Sequence, residues 1–545
     1  MAKIKSCFFV FIILFFFSVS FSFSQNKKYI VYFGSKSNSS FTLDHPEKFL
    51  SSKSIERRRK QNIIIESRDL PIDSAYIDSI EVKGASVLYV SKWLNAAIIS
   101  ATDSQMNAIN QYSFVINKNA ITKRIKINQG NFFYSLLQHH IIHVNYGNSE
   151  NQIAMLGADF MHQDGFHGEG KLIAVFDAGF KNASSLNIFT NLFSENRVIA
   201  TYDFVDHETN VYDNDPHGTN VLSVIAGYKE GSLIGTAYKS DFILLRTEDA
   251  NSENFVEETN WLRAAEYADS AGADIISSSL GYSTFDNVSE NHIYADMNGH
   301  TTIITKAAEM AVSVGMIVVS SAGNEGQTSW KYITAPADGN SVLSVGAVDK
   351  NEQYVFFSSV GPTSDGRIKP DVVAQGSNTM VGFPDNTIGP ASGTSFSCPL
   401  IAGFAAGIWQ AYPELTALEV TDAIKKSGSN YKSPDNTIGY GIPDYKRVKD
   451  YIRNPSIYLN PEFTVFPNPL SEGNLFFVSI PDYMGEMANI KLYDVLGHLV
   501  SEEEVYISSI VKNNTTISAS SLSKGLYVVV VSFRGKSFFK KIIRN

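Results

Sequence analysis

The stretch GPASGTSFSCPLIAGFAAGIWQA, residues 389–411, joins a glycine-rich turn to a helix-like run of very small residues. Such a run predicts a helix packed deep against other backbone. Ser395 stands where the turn becomes the helix, and Pro399 fits the first helical turn, where its missing N–H is tolerated. Backbone N–H groups at a helix start lack internal partners and carry the positive end of the helix dipole.

A hydroxyl held at such a helix start can attack a carbonyl while the nearby N–H groups receive the developing oxyanion. The alternative interpretation of Ser395 is an ordinary cap on a buried helix. A nucleophile at this position therefore requires a base and an acid elsewhere in the chain.

Residues 151–452 alternate apolar runs with helix-like segments, which predicts a doubly wound α/β domain with a mostly parallel sheet. The strand-like runs are residues 172–176, 242–245, 274–277 and 316–320. The helix-like segments are residues 220–226, 260–271 and 302–314. In such sheets, catalytic groups collect at the carboxyl ends of the strands.

Two segments supply an acid and a base. In IAVFDAGF, residues 173–180, an apolar strand ends in Asp177. In DPHGTNVLSVIAG, residues 215–227, His217 precedes an apolar helical run. Each residue alone has a structural explanation, but both lie at boundaries of one α/β domain, as Ser395 does.

Two further strand ends are suited to binding a substrate. In VVSSAGNEG, residues 318–326, the side-chain amide of Asn324 could donate to an oxyanion beside the Ser395 N–H. The alternative for Asn324 is a simple turn residue. SSLG, residues 278–281, could offer backbone groups with which an extended peptide pairs.

Together these blocks and GTSFSCP resemble the signature blocks of subtilisin-like serine peptidases, peptidase family S8. FFSSVGPTSDGRIKPDVVAQG, residues 356–376, resembles another block of that family. The chain order Asp, His, Ser is also that of subtilisin. The resemblance covers about residues 150–450.

The resemblance implies a role for each matching residue. Ser395 would be the nucleophile, His217 the general base and then the general acid, and Asp177 the residue that fixes the imidazole tautomer. Asn324 would be the oxyanion donor. The implied substrate-binding residues are Ser279, Leu280, Gly281, Ala322, Gly323, Gly393 and Thr394.

Three residues need separate comment. Ala178 follows Asp177 where Thr or Ser is usual in the family, so one hydrogen bond to the carboxylate is expected to be missing. Gln375 stands where a Pro is common. Cys398 could be an alternative nucleophile with a helix-lowered pKa, although a small packing residue is the simpler interpretation.

The regions before the peptidase block predict an exported precursor. Residues 1–24 have a basic start and a short apolar core, typical of a signal peptide. Residues 26–125 show a βαββαβ pattern and resemble the inhibitor-type propeptide of the family, followed by a linker at 126–150. The basic run ERRRK, residues 56–60, is interpreted as a solvated helix face, with a protease-sensitive or nucleic-acid-binding role as the alternative.

The region after the peptidase block, residues 460–545, predicts a small β-sandwich. The segments VFPNPLSEGNLFF (465–477) and KLYDVLGHLV (491–500) resemble the C-terminal sorting domain of the Bacteroidetes type IX secretion system. This resemblance implies a location outside the cell or on its outer surface. A plain β-sandwich binding module is the alternative.

The net charge, the number of cysteines and the pattern of histidines limit the partners and cofactors that can be expected. The net charge of −10 argues against nucleic acid, and the chain has only two cysteines, Cys7 and Cys398. His139, His140 and His143 could suggest zinc, but the run lacks the glutamate of H-E-x-x-H. No cofactor is expected for the chemistry. Structural calcium is possible, and the acidic loop candidates for it are Asp203, Asp206, Asp213 and Asp215.

The expected function is therefore that of a secreted serine endopeptidase made as an inactive precursor. Its expected partners are protein or peptide substrates, its own propeptide as inhibitor and the type IX secretion machinery. One alternative is a non-catalytic secreted binding or adhesion protein that keeps the fold. Another is a cysteine or zinc hydrolase.

Overall fold

The structure is a computed structural model. It describes residues 26–36, 39–116, 144–453, 464–466, 468–470, 475–479, 486–507, 514–518, 522–533 and 536–544. The predicted signal peptide, the histidines at 139, 140 and 143 and most of the predicted linker lie outside the described residues.

The chain divides into two compact units, one formed by Met1–Ser40 and Ser67–Ile121 and the other by Phe41–Glu66 and Thr122–Asn545. The N-terminal elements are β1 (Lys27–Phe33), α1 (Ser52–Lys60), α2 (Ser74–Val82), β2 (Ser86–Ser91), β3 (Ala96–Ala101), α3 (Asp103–Ile109) and β4 (Val115–Ile116). The segment Phe41–Glu66, which includes α1, belongs to the second unit, whereas the rest of the described part of 26–125 forms the first.

The first unit is an antiparallel sheet with two helices. Its strands lie in the order β2-β3-β1-β4. Alternate residues of β1, including Val31 and Phe33, are buried with Ile80 of α2 and Ile109 of α3. The apolar face of the sheet is therefore covered by the helices, as a half-buried sheet requires.

The second unit contains an α/β domain. Its elements are α4 (Glu150–Ala154), α5 (Ala158–Gln163), β5 (Leu172–Asp177), α6 (Thr190–Ser194), β6 (Val198–Asp203), α7 (His217–Ala226), β7 (Tyr228–Lys229), β8 (Leu233–Ile234), β9 (Asp241–Arg246), α8 (Val256–Ala271), β10 (Ile275–Ser278), α9 (Ile303–Ser313), β11 (Ile317–Ser321), β12 (Leu343–Val348), β13 (Val372–Gln375), β14 (Thr379–Gly382), β15 (Ile388–Ala391), α10 (Thr394–Ala411), α11 (Ala417–Lys426) and α12 (Tyr445–Arg453).

Seven of these strands form the central sheet, in the order β13-β12-β11-β10-β5-β9-β6. Every neighbouring pair is parallel. The doubly wound fold predicted from the sequence is confirmed. Strands that follow β5 lie on both of its sides, so the strand order reverses beside β5, where the carboxyl ends of β5 and β10 leave a crevice.

Helix α10 packs against the middle of the sheet, and its glycines Gly403 and Gly407 lie close to Thr236 and Met161. Residues 394–409 of this helix are all buried, and the helix contacts β10, β11, β12, β13 and α7. The predicted position of Pro399 in the first turn is wrong. The helix begins at Thr394, so Pro399 lies in the second turn.

The C-terminal region is built from antiparallel strands: β16 (Thr464–Phe466), β17 (Leu475–Ser479), β18 (Glu486–Asp494), β19 (Leu499–Ile507), β20 (Asn514–Ser518), β21 (Gly525–Phe533) and β22 (Lys536–Arg544). They form two sheets, β16-β17-β20 and β19-β18-β21-β22, around buried residues that include Val478, Ile490 and Val529. Among the helices that the structure describes, none is long and apolar enough to cross a membrane.

Candidate active site

Asp177 and His217 are joined by a hydrogen bond. Asp177 is the last residue of β5 and is fully buried, whereas His217 is the first residue of α7. His217 Nδ1 lies 2.8 Å from Asp177 Oδ1, which also accepts from the Ala178 N–H at 2.9 Å. A charged carboxylate at this distance requires a proton on Nδ1, so the neutral imidazole has a free Nε2 lone pair.

The residue after the histidine must be a glycine for this contact to form. A Cβ built on Gly218 would lie 2.3 Å from the Gly179 carbonyl oxygen and 2.8 Å from Asp177 Cβ. The first turn of α7 therefore lies directly against the end of β5. The backbone N–H of His217 is held by Asp215 Oδ1 at 2.8 Å, which fixes the start of the helix.

The electrostatic setting of His217 favours its charged form. Burial alone would lower the pKa of His217, but the Asp177 carboxylate outweighs this effect and raises the pKa to about 9. About a third of the His217 side chain (34%) remains exposed, so its outer edge is open to a substrate.

Ser395 is the second residue of α10, and the Phe396 ring that follows it lies 5.9 Å from the His217 ring. Ser395 Oγ donates to the Ser279 carbonyl oxygen at 3.4 Å. In the absence of a substrate, hydrogen bonds of a catalytic serine are often long or directed elsewhere.

Ser279 also holds the backbone of the serine. Ser279 Oγ donates to the Ser395 carbonyl oxygen at 2.9 Å. In a regular helix this carbonyl would accept from the N–H four residues later, but that residue is Pro399, which has no N–H. Because Pro399 offers no N–H, the Ser395 carbonyl oxygen accepts from Ser279 Oγ instead. This hydrogen bond connects α10 to the end of β10.

The side chain of Asn324 is oriented by Thr394. Asn324 Oδ1 accepts from the Thr394 backbone N–H at 2.9 Å and from its hydroxyl at 3.0 Å. Since the backbone N–H can only donate, the oxygen of the amide must face Thr394. The NH₂ group is then directed away, and it has no hydrogen-bond partner within the described ranges.

Two nitrogens flank the same space beside Gly393. A Cβ built on Gly393 would lie 3.7 Å from Asn324 Nδ2 and 3.7 Å from the Ser395 backbone N. The missing side chain leaves room for an oxygen atom within reach of both donors. This arrangement has the form of an oxyanion hole.

The predicted substrate-binding residues extend from two neighbouring strands. Ser279, Leu280 and Gly281 follow β10, and Ala322 and Gly323 follow β11. Both segments therefore lie at the carboxyl edge of the sheet, beside Ser395.

The sequence-based prediction missed two residues of this region. Thr334 lies between the two segments: a Cβ built on Gly281 would be 2.2 Å from Thr334 Oγ1, and one on Gly323 would be 2.9 Å away. Glu248 follows β9, and burial raises its pKa to about 8. Its place just after a strand could have indicated it, whereas no local pattern indicates Thr334.

Cys398 is fully buried, and its thiol faces the carbonyl oxygens of Ser278 at 3.4 Å and Val319 at 3.5 Å. Burial raises the pKa of Cys398 to about 12. Since the thiolate is the reactive form, this cysteine is not placed to act as a nucleophile.

The two departures from the family pattern have different consequences. Asp177 Oδ2 is buried without a hydrogen-bond partner in the described part of the chain, and Ala178 has no hydroxyl to offer it. Gln375 is well accommodated, because its Oε1 accepts from Asn151 at 2.7 Å and its Nε2 donates to Asn378 O at 3.2 Å.

The acidic loop candidates for calcium have protein partners. Arg246 pairs with Asp203 at 2.7 Å and with Asp206 at 2.5 Å. Asp215 holds the start of α7, and Asp213 accepts from Asn210 at 2.6 Å. Over the described residues, no group of three or more His, Cys, Asp or Glu side chains is arranged to hold a metal ion.

Comparison with known families gives three matches along the chain. Residues 168–441 match the profile described as "Subtilase family", and residues 28–132 match "Peptidase S8 propeptide domain, Bacteroidota". Residues 464–545 match "Secretion system C-terminal sorting domain". The predicted propeptide and sorting domain are confirmed, and the sorting domain directs the chain to the cell exterior or surface.

Individual relatives are similar over the central half of the chain. "Subtilisin" of Bacillus pumilus is 30% identical over 282 residues, which are 51% of this chain and 90% of that protein. "Subtilisin NAT" of Bacillus subtilis subsp. natto is also 30% identical over 282 residues, and the chain spans 65% of its length. The crystal structure of MycP1 from Mycobacterium smegmatis matches with 24% identity and a TM-score of 0.43, over 57% of this chain and 89% of that one.

Proposed function

Because the chain belongs to the subtilase family, we propose that it is a serine endopeptidase in which Asp177, His217 and Ser395 carry the hydrolysis. The observation that supports this most directly is the 2.8 Å hydrogen bond from His217 Nδ1 to the buried Asp177 carboxylate. It leaves Nε2 of the imidazole as the base on the open side of the ring, next to the residue that follows Ser395.

In the acylation step, Ser395 Oγ attacks the carbonyl carbon of the scissile peptide bond while His217 Nε2 takes the hydroxyl proton. The oxygen of the tetrahedral intermediate becomes negative and accepts from Asn324 Nδ2 and the Ser395 N–H beside Gly393. The carbon–nitrogen bond then breaks, and the imidazolium returns its proton to the leaving amine. Asp177 stabilises the imidazolium throughout.

Deacylation repeats these steps with water in place of the serine hydroxyl. His217 takes a proton from the water, whose oxygen attacks the acyl carbon, and Ser395 leaves with that proton. The mechanism requires no cofactor. Inhibition by a chelator would therefore indicate a structural ion such as calcium.

The substrate is proposed to be a protein segment in extended conformation. Ser279, Leu280 and Gly281 follow β10 and belong to no helix or turn, and their backbone groups are proposed to pair with a peptide strand. Its own propeptide is proposed as its inhibitor, and the type IX secretion machinery as the partner of the C-terminal domain.

A fluorophosphonate probe tests the proposal, since it labels an activated serine. The matured protein is expected to be labelled, and Ser395→Ala is expected to abolish both labelling and hydrolysis of an unfolded protein. Ser397→Ala is the matched control, because Ser397 is buried in the same turn and donates only to Thr394 O at 3.0 Å. Unchanged labelling of the Ser395→Ala protein would contradict the assignment. Absence of labelling in every form would favour a non-catalytic binding protein.

A further inference from the structure

The basic run at residues 56–60 is only partly solvated. Arg59 and Lys60 are exposed, with 70% and 60% of their side chains accessible, as the sequence predicts. Arg57 and Arg58 are buried, at 4% and 1% exposure, so the prediction of a solvated face is wrong for them. Buried guanidinium groups are rare unless they are paired, so their partners define a site.

Both arginines bind one carboxylate of the α/β domain. Asp269, in the last turn of α8, is fully buried. Its carboxylate lies 2.5 Å from Arg57 Nη2 and 2.8 Å from Arg58 Nη1. Arg57 also donates to the Ala273 and Val314 carbonyl oxygens, the second at 3.2 Å. The two guanidinium groups of this helix turn thus share one carboxylate of the α/β domain, and both also donate to Ser54 Oγ of their own helix.

The residues that flank the two arginines add neutral hydrogen bonds. The Ser51 N–H donates to the Ser270 carbonyl oxygen at 2.9 Å. Gln61 Nε2 donates to the Gly315 carbonyl oxygen at 2.7 Å, and Gln61 Oε1 accepts from the Ala417 N–H at 2.9 Å. The side-chain amide of Gln61 therefore joins the end of α9 to the start of α11.

The backbone of this segment lies in direct contact with the domain. A Cβ built on Gly272 would lie 2.7 Å from Lys53 Cβ and 3.0 Å from the Ser54 backbone N. Lys53 Nζ lies 3.2 Å from Asp274 Oδ2, and the other hydrogen bond of that oxygen comes from the Leu172 N–H at 2.8 Å. The contact thus reaches the first residue of β5.

These contacts lie at the edge of the sheet away from the candidate active site. Leu172 begins β5 and Asp177 ends it five residues later. At about 3.3 Å per residue the two edges are separated by roughly 17 Å. Residues 51–61 are therefore too far away to contact the proposed catalytic residues.

We infer that residues 51–61 are a latch: an arginine-bearing helix that fastens the propeptide chain to the α/β domain at a socket around Asp269, independently of the active site. The socket consists of Asp269, Ser270, Ala273, Val314, Gly315 and Ala417. The chain enters the second unit at Phe41 and leaves it at Glu66, so the latch lies in the middle of the propeptide sequence.

Hydrogen–deuterium exchange on the full chain carrying Ser395→Ala tests the latch without self-digestion, and its outcome does not depend on the proposed activity. The double variant Arg57→Gln/Arg58→Gln is expected to exchange its α1 amides at least about a hundredfold faster, because a buried ion pair is lost. Arg59→Gln is the matched control: it lies on the same helix, pairs only with Glu56 and should leave the exchange rate unchanged.

Hydrogen–deuterium exchange elsewhere in the chain distinguishes a local release of residues 51–61 from a general loss of structure. Amides of β10 and of α10 should keep their protection, which shows an intact fold and an independent active-site edge. Unchanged exchange of α1 in the double variant, or equal loss of protection in α10, would overturn the inference. If the double variant unfolds, Gln61→Ala replaces it, since it removes two neutral hydrogen bonds and no charge, and a severalfold acceleration confined to the latch is then expected.

Discussion

The buried oxygen Asp177 Oδ2 lacks a hydrogen-bond partner among the described residues. The next residue, Ala178, has no side-chain hydroxyl that could donate to it. An added hydroxyl would stabilise the carboxylate and weaken its pull on the imidazolium. We therefore expect Ala178→Thr to lower the pKa of His217, so that kcat/KM rises at lower pH than in the unchanged protein. Ala178→Val is the control, because it has the same shape without the hydroxyl. Equal pH profiles for the two variants would contradict the prediction.

The pH dependence of the unchanged protein follows from the same pair of residues. His217 acts as a base only when neutral, and Asp177 raises its pKa to about 9. We expect kcat/KM to rise with pH with a midpoint at about 9 and to level off at higher pH, measured on a peptide without ionisable groups. A midpoint at 6.5 or below would contradict this.

The same shift in the pKa of His217 makes the stability of the folded chain depend on pH. This stability is expected to fall with rising pH, whereas activity is expected to rise. The pKa is higher in the folded chain than its ordinary value of 6.5. Its stabilising contribution is therefore complete below pH 6.5 and is lost as the pH rises through about 9.

The oxygen and the nitrogen of the Asn324 side-chain amide are proposed to have different roles, anchoring and oxyanion binding. Its Oδ1 is held by Thr394, while its NH₂ group faces the space beside Gly393. We expect Asn324→Asp to keep the anchor and lose the donors, so kcat should fall by about 10²–10³ with little change in KM. Steady-state kinetics would measure this, and a thermal melt would check the fold. A fall of less than tenfold would contradict a donor role.

The sequence singles out the proposed catalytic side chains because each one stands at a boundary of an apolar run, beside a glycine or at a helix start. Thr334 and Glu248 could not be singled out in this way. Thr334 reaches the site only because its loop is placed between two strand ends, a long-range consequence of sheet order. The absence of a partner for Asp177 Oδ2 agrees with the missing hydroxyl at Ala178.

At the scale of secondary-structure elements, Pro399 and Ser279 form a coupled pair across α10 and β10. The proline frees the carbonyl of residue 395, and Ser279 Oγ satisfies it at 2.9 Å. In the Ser395→Ala background, we expect Ser279→Ala to lower the free energy of unfolding by about 1–3 kcal/mol. With Pro399→Ala, a backbone N–H becomes available and this cost should shrink by about 1 kcal/mol. Denaturant unfolding of the four proteins measures both, and strictly additive effects would contradict the coupling.

Strand prediction succeeded for several continuous apolar runs, but it missed the interior strand β12 and the edge strands β6, β13 and β19. β5, β9, β10 and β11 each overlap a predicted run, because strands covered on both faces carry continuous apolar sequence. β19, LVSEEEVYI, was not predicted because three glutamates interrupt its pattern. It is an edge strand, and charged residues at an edge oppose pairing with other chains.

At the scale of the whole molecule, the C-terminal sandwich has a hydrophobic core separate from that of the α/β domain. We expect a chain that ends at Arg453 to retain kcat/KM within about twofold, since an independent core folds alone. The same chain should no longer reach the cell exterior. Activity assays on the purified protein and fractionation of the producing cells test the two parts. Loss of activity on truncation would contradict the independence of the two cores.

The latch could not be predicted at this scale. Arg57 and Asp269 are 212 residues apart in the chain, and neither lies in a pattern that indicates the other. A basic run at helical spacing is the ordinary pattern of a solvated face. Only the tertiary fold brings two of its members against a buried carboxylate.

Cys398 also gives the molecule a built-in reporter. Apart from Cys7, in the predicted signal peptide, it is the only thiol of the chain, and it is buried on the side of α10 that faces β10 and β11. A colourless aromatic disulfide reagent can reach it only when α10 lifts from the sheet. The rate at which colour develops under native conditions therefore reports on the opening of α10, without any added label.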